Sequence, residues 1–107
     1  MAEQHSLDRL AAVIAGRANG DTDQSYTARL LSKGTAHIAK KLGEEAVEVV
    51  IAAAEKDPQA VMRESADLLY HWLVLIQSLN LPLGEVMAEL DRRHGQSGLA
   101  EKAGRTS

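Results

Sequence analysis

The chain has 107 residues, 25% of them charged and 45% hydrophobic, and a formal net charge of -3, the profile of a single soluble globular domain. That balance argues against a nucleic-acid backbone or an anionic membrane as partner, although a local basic patch could still hold a small phosphorylated molecule. The absence of cysteine excludes disulfides, thiolate zinc sites and cysteine nucleophiles.

Leu7, Leu10, Val13 and Ile14 recur at helical spacing behind Ser6, the expected N-cap, and the first helix should stop at "ANGD". The run "LAAVIA" is too short for the apolar part of a signal peptide. No run approaches the roughly 18 apolar residues of a membrane span. "SYTARLLSKG" reads as a short helix capped by Ser25 and ended by Gly34. A long helix follows, from Thr35 to about Lys56, with Gly43 inside it at a cost of about 1 kcal/mol relative to alanine. A glycine there lets another backbone or a ligand come close. "EKDPQA" marks a boundary, because Asp57 suits an N-cap and Pro58 the first helical position. The next helix should run from Pro58 to about Leu79 and stop at "NLP"; Pro82 then opens a shorter one to about His94, with Val86 and Leu90 facing inward. Residues 1–95 form one domain in this reading, and the polar, Gly-rich residues 96–107 a mobile tail.

The two long helices are apolar over more than one face. Val47, Val50, Ile51, Leu69 and Leu73 lie off the main stripes, and a helix apolar on most sides is buried on most sides. So small a chain has too few other helices to cover them. The expected fold is therefore all-α, a helical bundle with two long antiparallel helices, completed by homodimerisation.

Acidic residues interrupt both stripes. A helix turns about 100° per residue. With Leu42 as zero, Glu45 lies about 60° away and Glu48 about 120° away on the same side, whereas Glu44 points elsewhere. With Leu68 as zero on the second helix, Glu64 lies about 40° and Asp67 about 100° to one side, with His71 between them. Each long helix thus carries an i, i+3 acid pair at the edge of its apolar stripe, and in an antiparallel hairpin the pairs meet. A solvated face explains Glu85, Glu89 and Asp91 well, but it explains Glu45 and Glu64 poorly. Converging carboxylates repel unless some are protonated or a cation holds them. All-oxygen ligands favour Mg²⁺ or Mn²⁺. The residues by themselves leave an Mg²⁺ site and a hydrogen-bonded polar network both open.

The spacing Glu44-Glu45-x-x-Glu48 followed by Glu64-x-x-Asp67 resembles the EExxE…ExxD signature of the all-α, MazG-like nucleotide pyrophosphohydrolases. With "SYTARLLSKG", "KKLGEEAVEVVIAA" and "ESADLLYHWLVLI" around it, the chain is similar to the phosphoribosyl-ATP pyrophosphatases of histidine biosynthesis from Leu7 to Arg93. The resemblance implies Mg²⁺-dependent hydrolysis of phosphoribosyl-ATP to phosphoribosyl-AMP and pyrophosphate, a cytoplasmic setting and a homodimer. Lacking cysteine and spare length, the chain reads as the pyrophosphatase alone, without the fused cyclohydrolase found in many organisms.

On this reading Glu45, Glu48, Glu64 and Asp67 are the metal ligands. Glu44 belongs to the catalytic set with a separate role: a second metal, the attacking water, or solvent alone. His71, at i+4 from Asp67, is expected to orient that carboxylate. Arg29, Lys33, Lys40, Lys41, Arg92 and Arg93 are the expected substrate-binding cations, each set against the plain alternative of a solvent-exposed charge. His5, His37 and His94 show no metal spacing. Two rival functions remain: a housecleaning pyrophosphohydrolase acting on a free nucleotide such as dCTP, and a non-catalytic helical dimerisation module.

Overall fold

The computed structural model describes residues 5–94. Among them the chain forms five helices and no strand: α1 (Ser6–Arg17), α2 (Tyr26–Lys33), α3 (Thr35–Ala54), α4 (Pro58–Ser78) and α5 (Leu83–His94). The proposed tail lies outside the described residues. No single described helix is long and apolar enough to cross a membrane.

Local chemistry sets most helix ends where the sequence puts them. Ser25 caps α2 by accepting from the Ala28 amide at 3.1 Å, and Asp57 caps α4 by accepting from the Ala60 amide at 3.1 Å, with Pro58 in the first turn. The N-cap of α1 is His5 rather than Ser6; its amide donates to the Asp8 carboxylate at 3.3 Å, which draws Ser6 into the helix. Helices α3 and α4 both end in a Schellman turn. The amides of Lys56 and Asp57 return to the carbonyls of Ala53 and Ala52, and those of Asn80 and Leu81 to Gln77 and Ile76. Lys56 and Asn80 accordingly hold left-handed backbones, at φ 57° and 56°. Gly34 ends α2 and starts α3 within one residue; its φ of 91° is a conformation that favours glycine.

The long helices α3 and α4 pair as an antiparallel hairpin. At its open end Thr35 Oγ1, in the first turn of α3, lies 2.9 Å from Ser78 Oγ at the end of α4. The core gathers Ile14 from α1, Leu30 from α2, Ile38 from α3, Leu73, Val74 and Ile76 from α4 and Leu83 from α5. So α1, α2 and α5 cover the half of the hairpin nearest its open end. Leu73 is only 1% exposed; it belongs to this core and not, as its position off the stripe implied, to an uncovered face. Val47, Val50, Ile51 and Leu69 are exposed as expected, together with Met62. One inward assignment fails: Leu90 on α5 is 56% exposed, because α5 reaches the core through Leu83 and Met87 and leaves Leu90 outside it; Val13, part of the apolar repeat of α1, is exposed as well.

Candidate active site

The hairpin brings the two acid pairs together. Carboxylate oxygens of Glu45, Glu64 and Asp67 lie within 4.8 Å of one another. Glu48, one turn after Glu45, stands outside that group but acts on it. The carboxyl of Glu64 is held above its ordinary value of 4.5, first by loss of hydration and then by the charges of Glu48, Asp67 and Glu45, with Arg63 pulling the other way. Glu45 and Glu64 are half-buried and Asp67 is exposed. Three oxygen donors at this separation, ringed by further negative charge, fit a small hard divalent cation. Glu44 lies apart from this group, exposed and 3.4 Å from Lys41.

His71 does not orient the Asp67 carboxylate. The residue is 6% exposed, and its Nδ1 lies 2.8 Å from the backbone carbonyl of Asp67 while its Nε2 lies 3.3 Å from the Tyr26 hydroxyl. The i+4 spacing was right, but in a helix it reaches the backbone of residue 67 as readily as its side chain. The carbonyl only accepts, so in the neutral ring Nδ1 carries the proton, Nε2 accepts, and the tyrosine hydroxyl donates. His71 therefore fixes α2 to α4 beside the acids. Tyr26 also stacks on Tyr70, whose hydroxyl is hydrogen-bonded to Thr27.

The expected cations separate into three groups. Arg29, Lys33 and Lys41 meet around a pocket of about 180 Å³ between α2 and α3, closed by Tyr26, Leu30 and His37. Lys40 is exposed and outside that lining. Arg92 and Arg93 both donate to Glu89 on α5, at 2.6–3.0 Å, and hold its carboxyl down at about 2. Neither arginine lines the α2–α3 pocket. Tyr26 and His37 were not singled out as site residues. The signal was present for His37, which with Lys41 and Glu45 makes an i, i+4, i+8 line on α3. A search for metal-ligand spacing among histidines passes over it.

A model of the family described as phosphoribosyl-ATP pyrophosphohydrolase matches residues 7–94. The chain belongs to this family. It is 58% identical over 104 residues to the phosphoribosyl-ATP pyrophosphatase of Parvibaculum lavamentivorans, covering 97% of this chain and 95% of the relative. It is 57% identical over 101 residues to that of Caulobacter sp. strain K31, and 53% identical over 100 residues to that of Agrobacterium fabrum, each covering 94% of both chains. The matched span contains the acid cluster and the α2–α3 pocket alike.

Proposed function

We propose that the chain hydrolyses phosphoribosyl-ATP to phosphoribosyl-AMP and pyrophosphate, an early step of histidine biosynthesis, with Mg²⁺ as cofactor. The observation that carries the reading is the convergence of Glu45, Glu64 and Asp67 across the hairpin in a member of this family. These three residues, with Glu48 as the fourth carboxylate, are assigned to hold the metal. Mg²⁺ bound there supplies charge neutralisation for the triphosphate and polarises its phosphorus–oxygen bonds. The protein's own work is placement and proton handling. Water attacks a phosphorus atom, the anhydride bond opens, pyrophosphate leaves, and a cluster carboxylate takes the proton that the water gives up. No covalent enzyme intermediate is required. Lys41, one turn before Glu45, adds positive charge beside the acids, and Glu44 holds Lys41.

The working form in this proposal is a cytoplasmic homodimer. Val47, Val50 and Ile51 on α3 and Met62 and Leu69 on α4 are all exposed in the protomer, and a second copy is the occupant that would cover them at both sites at once. The decisive assay is pyrophosphate release from phosphoribosyl-ATP, with Mg²⁺ and with chelator, beside a panel of free nucleoside triphosphates. Release that requires Mg²⁺ and favours phosphoribosyl-ATP is expected. Preference for a free nucleotide such as dCTP would hand the site to the housecleaning activity, and no release from any substrate would end the enzymatic reading.

A further inference from the structure

The acid cluster accounts for hydrolysis of a triphosphate but gives no reason to prefer phosphoribosyl-ATP over ATP. The two differ by a ribosyl 5′-phosphate remote from the triphosphate. We propose that the pocket between α2 and α3 seats that ribosyl phosphate and so selects the substrate; this rests on the activity proposed above.

Three observations converge on the pocket. First, Arg29, Lys33, His37 and Lys41 line one concavity from two different helices, in a chain whose net charge is -3. Arg29, Lys33 and Lys41 bring three positive charges around one space of about 180 Å³, with the His37 ring beside them. Arg29 uses one of its N–H donors on the Thr22 carbonyl at 3.0 Å, which fixes its guanidinium without exhausting it.

Second, the pocket lies in line with the acids. His37, Lys41 and Glu45 follow one another at four-residue steps along α3, so Lys41 precedes Glu45 by about 6 Å along the axis and His37 by about 12 Å. Carboxylates repel phosphate except through a bridging cation, so the triphosphate belongs at the acids. A phosphate held without metal needs direct, charge-assisted donors, and this pocket supplies them.

Third, the walls suit a sugar phosphate better than the bare end of a triphosphate. Leu30 and the ring of Tyr26 give an apolar side for ribose carbons. The Tyr26 hydroxyl gives its proton to His71 Nε2, which leaves the phenolic oxygen as an acceptor for a ribose hydroxyl. The stack on Tyr70 keeps that ring in place.

The test uses the intact protein with Mg²⁺ and measures inhibition of phosphoribosyl-ATP hydrolysis by two fragments, ribose 5-phosphate and pyrophosphate. In Lys33→Gln and, separately, His37→Gln, the ribose 5-phosphate inhibition constant and the substrate KM are expected to rise about tenfold, while pyrophosphate inhibition moves less than about twofold. Circular dichroism checks that both variants fold. Equal weakening of both fragments would give the pocket to the triphosphate end and overturn the assignment. So would unchanged constants in both variants, or no ribose 5-phosphate inhibition of the wild type. A parallel titration follows the His37 ring by NMR as ribose 5-phosphate is added. A chain that binds the fragment at His37 but leaves phosphoribosyl-ATP intact refutes the hydrolytic reading. A chain that turns over substrate with no His37 response refutes the subsite.

Discussion

Val50 offers the sharpest test of assembly. It is 65% exposed in the protomer, so about two-thirds of a valine's surface remains to be buried by a partner. Full burial of such a side chain is worth about 1.5–3 kcal/mol, which puts Val50 at about 1–2 kcal/mol per protomer. A two-fold interface uses each residue twice, giving about 2–4 kcal/mol per dimer. Val50→Asp removes that gain and leaves a carboxylate without a partner in the interface. The dimer dissociation constant should therefore rise at least about 30-fold. Light scattering through the micromolar range should show a wild-type dimer and a variant displaced towards monomer. The helical circular dichroism should persist, since aspartate and valine differ little in helix propensity. A well-folded wild-type monomer at micromolar concentration refutes the reasoning at its root. A variant as dimeric as the wild type refutes the choice of face.

Three further outcomes are expected. In metal-free protein, Glu64 carries a raised carboxyl value, so its ionised form costs stability above that raised value, and the cost is relieved as pH falls towards the ordinary 4.5. Thermal melts with chelator should show wild type gaining on Glu64→Gln as pH drops from 7 to 5; parallel curves would mean that neither loss of hydration nor the neighbouring acids raise the Glu64 carboxyl. A Cβ built on Gly43 meets nothing within 4 Å, so Gly43→Ala should raise stability by about 0.5–1 kcal/mol in a denaturant melt; a loss would mean that a partner backbone or a substrate comes in at that point. Leu73→Ala should cost about 2–5 kcal/mol in the same melt, as befits a fully buried leucine. Leu69→Ala, at an exposed position, should cost clearly less, and equal costs would contradict the assigned core.

The helices and the acid cluster were legible because both depend on single-helix geometry. Ser25, Gly34, Asp57 and Pro58 act within a few residues of themselves, and they set boundaries as read. Glu45, Glu64 and Asp67 needed one added assumption, an antiparallel hairpin, to meet. What failed depended on which helix lies over which. Leu69 and Leu73 are one turn apart on nearly the same azimuth, yet Leu73 sits in the core formed with α1, α2 and α5 and Leu69 does not. Periodicity supplies a direction around one helix and says nothing about where a neighbour stops. Leu90 was misplaced for the same reason. The left-handed backbone at Lys56 carried no signal either, since lysine has no preference for it, whereas Asn80 in the equivalent turn does.

The basic pocket shows the limit most clearly. Arg29 and Lys33 were visible as i, i+4 neighbours on α2, and His37 and Lys41 stand in the same relation on α3. Only the angle between the helices brings these two pairs into one concavity. That angle is set at Gly34, where a φ of 91° joins the helices through a single residue. A residue with a Cβ is strained there whatever the surrounding space, so the glycine that reads as a helix stop is also what aims Arg29 and Lys33 at His37 and Lys41. The hydrogen bond from Tyr26 to His71 then pins α2 against α4, beside the turn of α4 that supplies Asp67. Placement of the cations relative to the acids thus rests on two local features, one backbone angle and one buried histidine, neither of which carries charge into the chemistry itself.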